Sequence, residues 1–156
     1  MENVAEKFLA VLRALSNEGV DYVLVGGYAV VLHGSRRFTE DIDILIRNDE
    51  DNVRKLRKAL TSVFNDENIS EITSTEIANY SVIRYIADET FFIDIIGNLG
   101  EAFNIDSVKS EQIEFDGVKV NIATLESLYK MKSNTYRAVD IEDIQFLADK
   151  LKEAKK

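Results

Sequence analysis

Six residues, Asp41-Ile42-Asp43-Ile44-Leu45-Ile46, constrain this chain more than any other stretch. Successive side chains of a β-strand point to opposite faces. A strand here sends Asp41 and Asp43 to one side, and Ile42 and Ile44 to the other. The isoleucine side has to be covered by an apolar layer. The acidic side has to stay open to a cation, because neighbouring carboxylates repel unless positive charge lies between them. Upstream, an apolar strand from Asp21 to Val25 breaks at Gly26-Gly27 and leads into a short helix from Tyr28 to His33. A glycine turn that opens a helix presents backbone N–H groups suited to a phosphate.

The rest of the chain supplies the covering layers. Residues 2–17 place Val4, Phe8, Val11, Leu12 and Leu15 at helical spacing. Asn48 or Asp49 caps a helix to about Val63, with Val53, Leu56, Leu60 and Val63 along one stripe. Asn65 to Thr75 is polar and mixed, and is expected to be a loop holding at most a short strand. Tyr80–Ala87 and Thr90–Ile96 form a hairpin turning at Asp88-Glu89. Glu111–Phe115 and Val118–Ala123 form another around Asp116-Gly117, with Ile113, Phe115, Val118 and Val120 on one face. Thr124 caps a helix to about Ser133. Asp140 caps the last helix, with Ile141, Ile144, Leu147 and Leu151 on its buried stripe. This order predicts an α+β fold, with a mixed, largely antiparallel sheet and flanking helices.

At 156 residues, 46% of them hydrophobic and none a cysteine, the chain can build a core without disulfides or a Cys-based zinc site. One domain is expected over residues 1–156, with 124–156 as a helical segment packed on it. The first helix is amphipathic and carries Glu2, Glu6 and Lys7, unlike a secretory signal. Tyr22 to Leu32 is too short to span a bilayer. No membrane association is expected, and a cytoplasmic location is. A net charge of −9 without a long basic block argues against broad binding to duplex nucleic acid.

A third carboxylate, Asp94, lies in the apolar run FFIDII. A charge there is costly to bury unless it is paired or coordinated. If its strand adjoins Asp41 and Asp43, three carboxylates converge. Hard oxygen ligands of this kind suit Mg2+ or Mn2+. Phosphate cradle and divalent ions together equip a site for phosphoryl or nucleotidyl transfer. Each residue also has an ordinary role open to it. The Asp pair can be a solvated strand end, Asp94 can pair with an arginine, and the glycines can simply make a turn. Ser35 and one of Arg36 and Arg37 can reach phosphate or stay in solvent. Thr39 shares the face of Asp41 if the strand starts early, and its hydroxyl would then support a metal ligand. His33, the single histidine, suits a helix end or packing better than a base. Lys132, Arg137, Asp140 and Asp143 divide evenly between helix-end and solvated-face roles and a role near a triphosphate.

The segment LVGGYAVVLHGSRRFTEDIDILI resembles the core motif of the nucleotidyltransferase superfamily related to DNA polymerase beta. Within it, the chain is most similar to the AbiEii-like and lincosamide-type small nucleotidyltransferases. Their Gly-Gly turn, Arg-x-Thr and Asp-x-Asp correspond to Gly26-Gly27, Arg37 with Thr39, and Asp41 with Asp43. Asp94 matches the third carboxylate, and Lys132, Arg137, Asp140 and Asp143 match a C-terminal set. The Gly-Ser that other members use stands here as Gly-Gly, with a separate Gly34-Ser35. The resemblance implies NMP transfer from an NTP to a hydroxyl on a protein, an RNA end or a small molecule. Asp41, Asp43 and Asp94 would be the metal-binding and catalytic carboxylates, with Asp94 as general base. Gly26, Gly27, Ser35, Arg37, Thr39 and Lys132 would bind the nucleotide. It also suggests membership of a toxin–antitoxin pair with a cognate partner protein. The alternative from that setting is a non-catalytic domain that keeps the fold and only binds its partner.

Overall fold

The structure, a computed structural model, describes residues 4–36, 38–39, 41–88, 91–99, 103–133 and 138–154. Helix α1 (Val4–Asn17) forms as its spacing predicts and buries Phe8, Val11, Leu12 and Leu15. Strand β1 (Tyr22–Val25) follows, then the short helix α2 (Gly26–Leu32) and strand β2 (Asp41–Ile46). Helix α3 (Glu50–Phe64) is capped by the Asp49 side chain, which accepts from the Asn52 N–H at 2.7 Å. It ends at Asn65 in the left-handed region, where asparagine is tolerated.

The segment expected to be a loop folds instead into a 3-10 turn (Glu67–Glu71) and helix α4 (Ser74–Asn79). Thr73 caps α4 by accepting from the Glu76 N–H. The Thr-x-x-Glu spacing of a capping box therefore outweighed the local polarity. Strands β3 (Val82–Asp88) and β4 (Phe91–Ile96) form the first expected hairpin. A small ladder of β5 (Asn98–Leu99) and β6 (Phe103–Asn104), which has no sequence signal of its own, comes next. Strands β7 (Ser110–Phe115) and β8 (Val118–Ala123) turn at Asp116 and Gly117, both with positive φ. That pair of angles is what a two-residue hairpin turn of the primed type needs.

Six strands make one open sheet in the order β3-β4-β2-β1-β8-β7. The β2–β4 and β1–β8 joins are parallel and the other three antiparallel, as the mixed α+β expectation requires. Ile42, Ile44, Ile93 and Ile95 face one side and are fully buried, at 0% exposure. Phe91 joins them between Phe8 of α1 and Phe64 of α3, with ring centroids 5.0 and 5.9 Å apart. Helices α1 and α3 thus cover the isoleucine face and leave Asp41, Asp43 and Asp94 on the other.

Helix α5 (Leu125–Lys132), capped by Thr124, packs on helix α6 (Ala138–Ala154), and both touch α2. Helix α6 begins two residues ahead of Asp140, so that residue lies in its first turn and is not its cap. Its inward line also differs from expectation. Ile141 is 58% exposed, while Asp143 is 1% exposed and Leu147 0%. Asp143 turns inward because it has a cation to meet, Lys132 on α5. No helix among the described residues is long and apolar enough to cross a membrane.

Candidate active site

Four strands place one rung of side chains across the sheet. Asp43 of β2 stands directly beside Asp94 of β4, which stands opposite Arg84 of β3, while Val25 of β1 flanks Asp43. Residues in register share a face, so Asp43, Asp94 and Arg84 project together. Asp41, two residues before Asp43, joins them and lies beside Phe92. The expected convergence of three carboxylates on one face is present.

Gly26 explains why the glycine turn sits where it does. Its φ is +71°, and a Cβ built on it would lie 2.0 Å from Asp43 Oδ2. The Asp43 carboxyl group therefore rests against bare backbone at the start of α2. Any side chain at position 26 would displace it. The preceding residue, Val25, has an extended backbone and offers no side-chain cap to the helix. Gly27, behind it, is buried.

The electrostatics of this rung are unbalanced. Burial pushes Asp43 up to about 7, and the hydrogen bond and charge of Asp94 and the charge of Asp41 push the same way, with Lys132 opposing them. Asp94 carries the cation that the cluster does have. Arg84 Nε donates to its Oδ1 at 2.8 Å and a terminal guanidinium nitrogen donates to Oδ2 at 3.0 Å. The same guanidinium lies 3.8 Å from Asp41 Oδ2 and 4.9 Å above the Phe92 ring centre. Among the described residues, no three His, Cys, Asp or Glu side chains are already gathered in the arrangement that holds a metal ion.

Arg84 is the residue that sequence reasoning missed, and the cause is a register slip. A two-residue turn at Asp88-Glu89 pairs Ala87 with Thr90 and, counting back, Arg84 with Ile93 on the core face. The observed ladder has an irregularity between Ile86 and Asp88 that shifts the pairing by one. A one-residue shift moves a side chain to the other face of the sheet. The one available signal was chemical: Asp94 needed a cation, and Arg84 is the arginine within its own hairpin.

The other candidates fall in several places. Lys132 is buried, not on a solvated face, with Nζ 3.0 Å from Asp143 Oδ2. Asp143, expected in the first turn of α6, is instead sealed in that pair. Thr39 supports the backbone, accepting from the Asp41 N–H at 3.4 Å. Ser35 follows the C-terminal end of α2, its N–H donating to Val30 O at 3.2 Å, so that helix separates it from Gly26-Gly27. His33 donates from Nε2 to Ala123 O at 2.9 Å and holds the end of α2 to β8. Arg37, Arg137 and the side chain of Asp140 lie outside the described residues.

The family described as "Nucleotidyl transferase of unknown function (DUF2204)" matches residues 4–156. No curated protein matches the chain in sequence. Solved structures do match it in fold. The lincosamide antibiotic adenylyltransferase LnuA, bound to lincomycin, is 19% identical with a TM-score of 0.59, over 92% of this chain and 95% of that one. ANT(2")-Ia in complex with adenylyl-2"-tobramycin is 13% identical with a TM-score of 0.56, over 97% and 92%. An antigenic nucleotidyltransferase-like protein from Paracoccidioides brasiliensis is 18% identical with a TM-score of 0.55, over 90% and 74%. At these identities the likeness is one of fold.

Proposed function

Because the chain belongs to the DUF2204 family of nucleotidyl transferases, we propose that it moves an NMP group from an NTP to an acceptor hydroxyl, with Mg2+ or Mn2+ held by Asp41, Asp43 and Asp94. The observation that carries this reading is the shared rung. Asp43 and Asp94 are paired in register, Asp41 lies one step along the same face, and Gly26 backs Asp43 at the start of α2. The donor set fits a hard divalent cation. It is all carboxylate, and burial together with the neighbouring Asp94 and Asp41 carboxylates pushes Asp43 up to about 7. When bound, the ions would neutralise the triphosphate and polarise the reacting oxygens.

The protein's own groups carry the rest. The backbone of Gly26-Gly27 faces the β- and γ-phosphates. Lys132 adds positive potential at Asp43, and Arg37, four residues before Asp41 in sequence, is assigned to the triphosphate as a second basic group. Asp94 accepts the proton of the acceptor hydroxyl. The acceptor oxygen forms a bond to the α-phosphorus as the bond from that phosphorus to the bridging oxygen of the β-phosphate breaks, releasing pyrophosphate. Rate gain comes from positioning and from fixed charge, without a covalent intermediate. Thr39 holds the backbone of Asp41 and thereby the start of β2. We assign the work to one domain, residues 1–156, with 124–156 as its C-terminal helical segment, acting in the cytoplasm.

The acceptor is a hydroxyl on a small molecule or on a partner protein, the second in keeping with a toxin–antitoxin setting. LnuA and ANT(2")-Ia, with lincomycin and an adenylylated tobramycin, set the precedent for small acceptors on this fold. The test is a screen of labelled NTPs with cell lysate and with antibiotic panels, comparing wild type with Asp41→Ala/Asp43→Ala. Label transfer by the wild type alone supports the reading and exposes the acceptor. Equal transfer by both proteins, or none with any NTP, removes it and favours a binding role.

A further inference from the structure

We propose that Arg84 is a displaceable counter-ion, a positioning residue that grips Asp94 in the cation-free protein and yields to the Phe92 ring when a divalent cation engages the carboxylates. This rests on the metal-binding reading given above. The geometry of the grip motivates it. Both Asp94 oxygens accept from one guanidinium, at 2.8 and 3.0 Å, and Asp41 lies 3.8 Å away on its other side. A carboxylate held in this fork has fewer lone-pair directions left for an ion. A guanidinium beside a divalent ion also repels it, at a separation where that repulsion is not screened away.

Three features give Arg84 somewhere to go. Strand β3 is an edge of the sheet, so among the described residues no strand neighbours Arg84 on its outer flank. Its side chain is half exposed, unlike that of Asp94. The Phe92 ring already lies under the guanidinium, 4.9 Å away, and offers a cation–π seat that does not use Asp94. Val82 and Ile86, both exposed, flank Arg84 on the same face of β3. The fold thus carries its own cation for the unloaded state, placed where it has an exposed flank and an aromatic seat to move to.

The experiment titrates Mn2+ into nucleotide-free wild type, Arg84→Gln, Arg84→Lys and Asp43→Asn by calorimetry. In parallel, Mg2+ is titrated into 15N-arginine-labelled wild type, with the Arg84 Nε–H signal identified by its loss in Arg84→Lys. Displacement predicts that Arg84→Gln binds Mn2+ about tenfold more tightly than wild type. Arg84→Lys, which keeps the charge and loses the fork, should fall between them, and the Nε–H signal should shift and broaden as Mg2+ saturates. Circular dichroism confirms that each variant is folded, and Arg84→Lys carries the test if Arg84→Gln is not. Equal or weaker Mn2+ binding by the Arg84 variants, with an unmoved Nε–H signal, overturns the displacement while leaving the metal site intact. Wild type that binds no Mn2+, or binds it no better than Asp43→Asn, overturns both.

Discussion

Strands β2 and β4 present two faces made of alternate residues, and the two faces obey opposite rules. On one, Ile42, Ile44, Ile93 and Ile95 are sealed under α1 and α3. On the other, Asp41, Asp43 and Asp94 stand together, with Arg84 gripping Asp94 and lying 3.8 Å from Asp41. The first face gains stability from every methylene it removes from water. The second gives some of it back, since like charges crowded on a partly buried rung oppose folding. A side chain one position along the same strand thus changes from support to working group. Breaking either face alone should therefore give opposite phenotypes.

The largest effect is expected on the acidic face. Asp43→Asn keeps shape and removes one ligand charge, and should lower pyrophosphate release by about a thousandfold or more. The fold should remain intact by circular dichroism. Activity within tenfold of wild type would remove Asp43 from the centre of the reaction. Gly26→Ala sharpens the same point without touching a charged group. Its Cβ would collide with Asp43 Oδ2, so activity should fall by about tenfold or more.

Next comes a sealed ion pair, the counterpart of the open one at Arg84. Lys132 and Asp143 have side chains only 10% and 1% exposed, and lie 3.0 Å apart. Lys132→Met leaves a buried carboxylate without its cation and should cost about 3–5 kcal/mol. Lys132→Met with Asp143→Leu should recover much of that in urea melts, because both charges are then gone. If the double variant is no better than the single, the pair is not what matters there.

On the apolar face, Ile93→Ala should cost about 2–5 kcal/mol, lowering Tm by about 5–15 °C. Activity per folded molecule, measured well below Tm, should stay within about threefold of wild type. A large loss of activity at full folding would mean that the faces are not independent.

The difference between the faces also sets what the sequence could disclose. The alternation in Asp41–Ile46 and in FFIDII is a local pattern, so strand type and face were legible, while the meeting of three carboxylates waited on β2 and β4 being neighbours. The hairpin at Asp116-Gly117 was legible because both turn residues suit positive φ. Arg84 was hidden because its face depends on an irregularity between Ile86 and Asp88, which no residue there advertises. Asp143 was hidden for a related reason. Its inward turn depends on Lys132 of another helix, and an apolar-stripe count puts Ile141 in its place. Local pattern gives faces, whereas partners across elements fix register and phase.

The smallest expected effect separates the faces by pH. The Asp43 carboxyl is held up to about 7 in the folded protein, against about 3.8 when unfolded. The folded state therefore binds this proton more tightly, and the stability it confers is fully present below about pH 4. That contribution is lost as pH rises through 7. Asp51, Asp66 and Asp106 are shifted the other way, below the usual carboxylate range, by partners that include Arg54, the Asn68 N–H and Arg47. Their contributions are complete by pH 5, below the window in which the Asp43 contribution is lost. In chelator, Tm should fall across that window by a few degrees. Asp43→Asn should flatten the fall and be the more stable protein at pH 8, and saturating Mg2+ should restore wild type there. A wild-type Tm that is level or rises from pH 5 to 8 without divalent ions would mean that the acidic face is not under the strain its geometry implies.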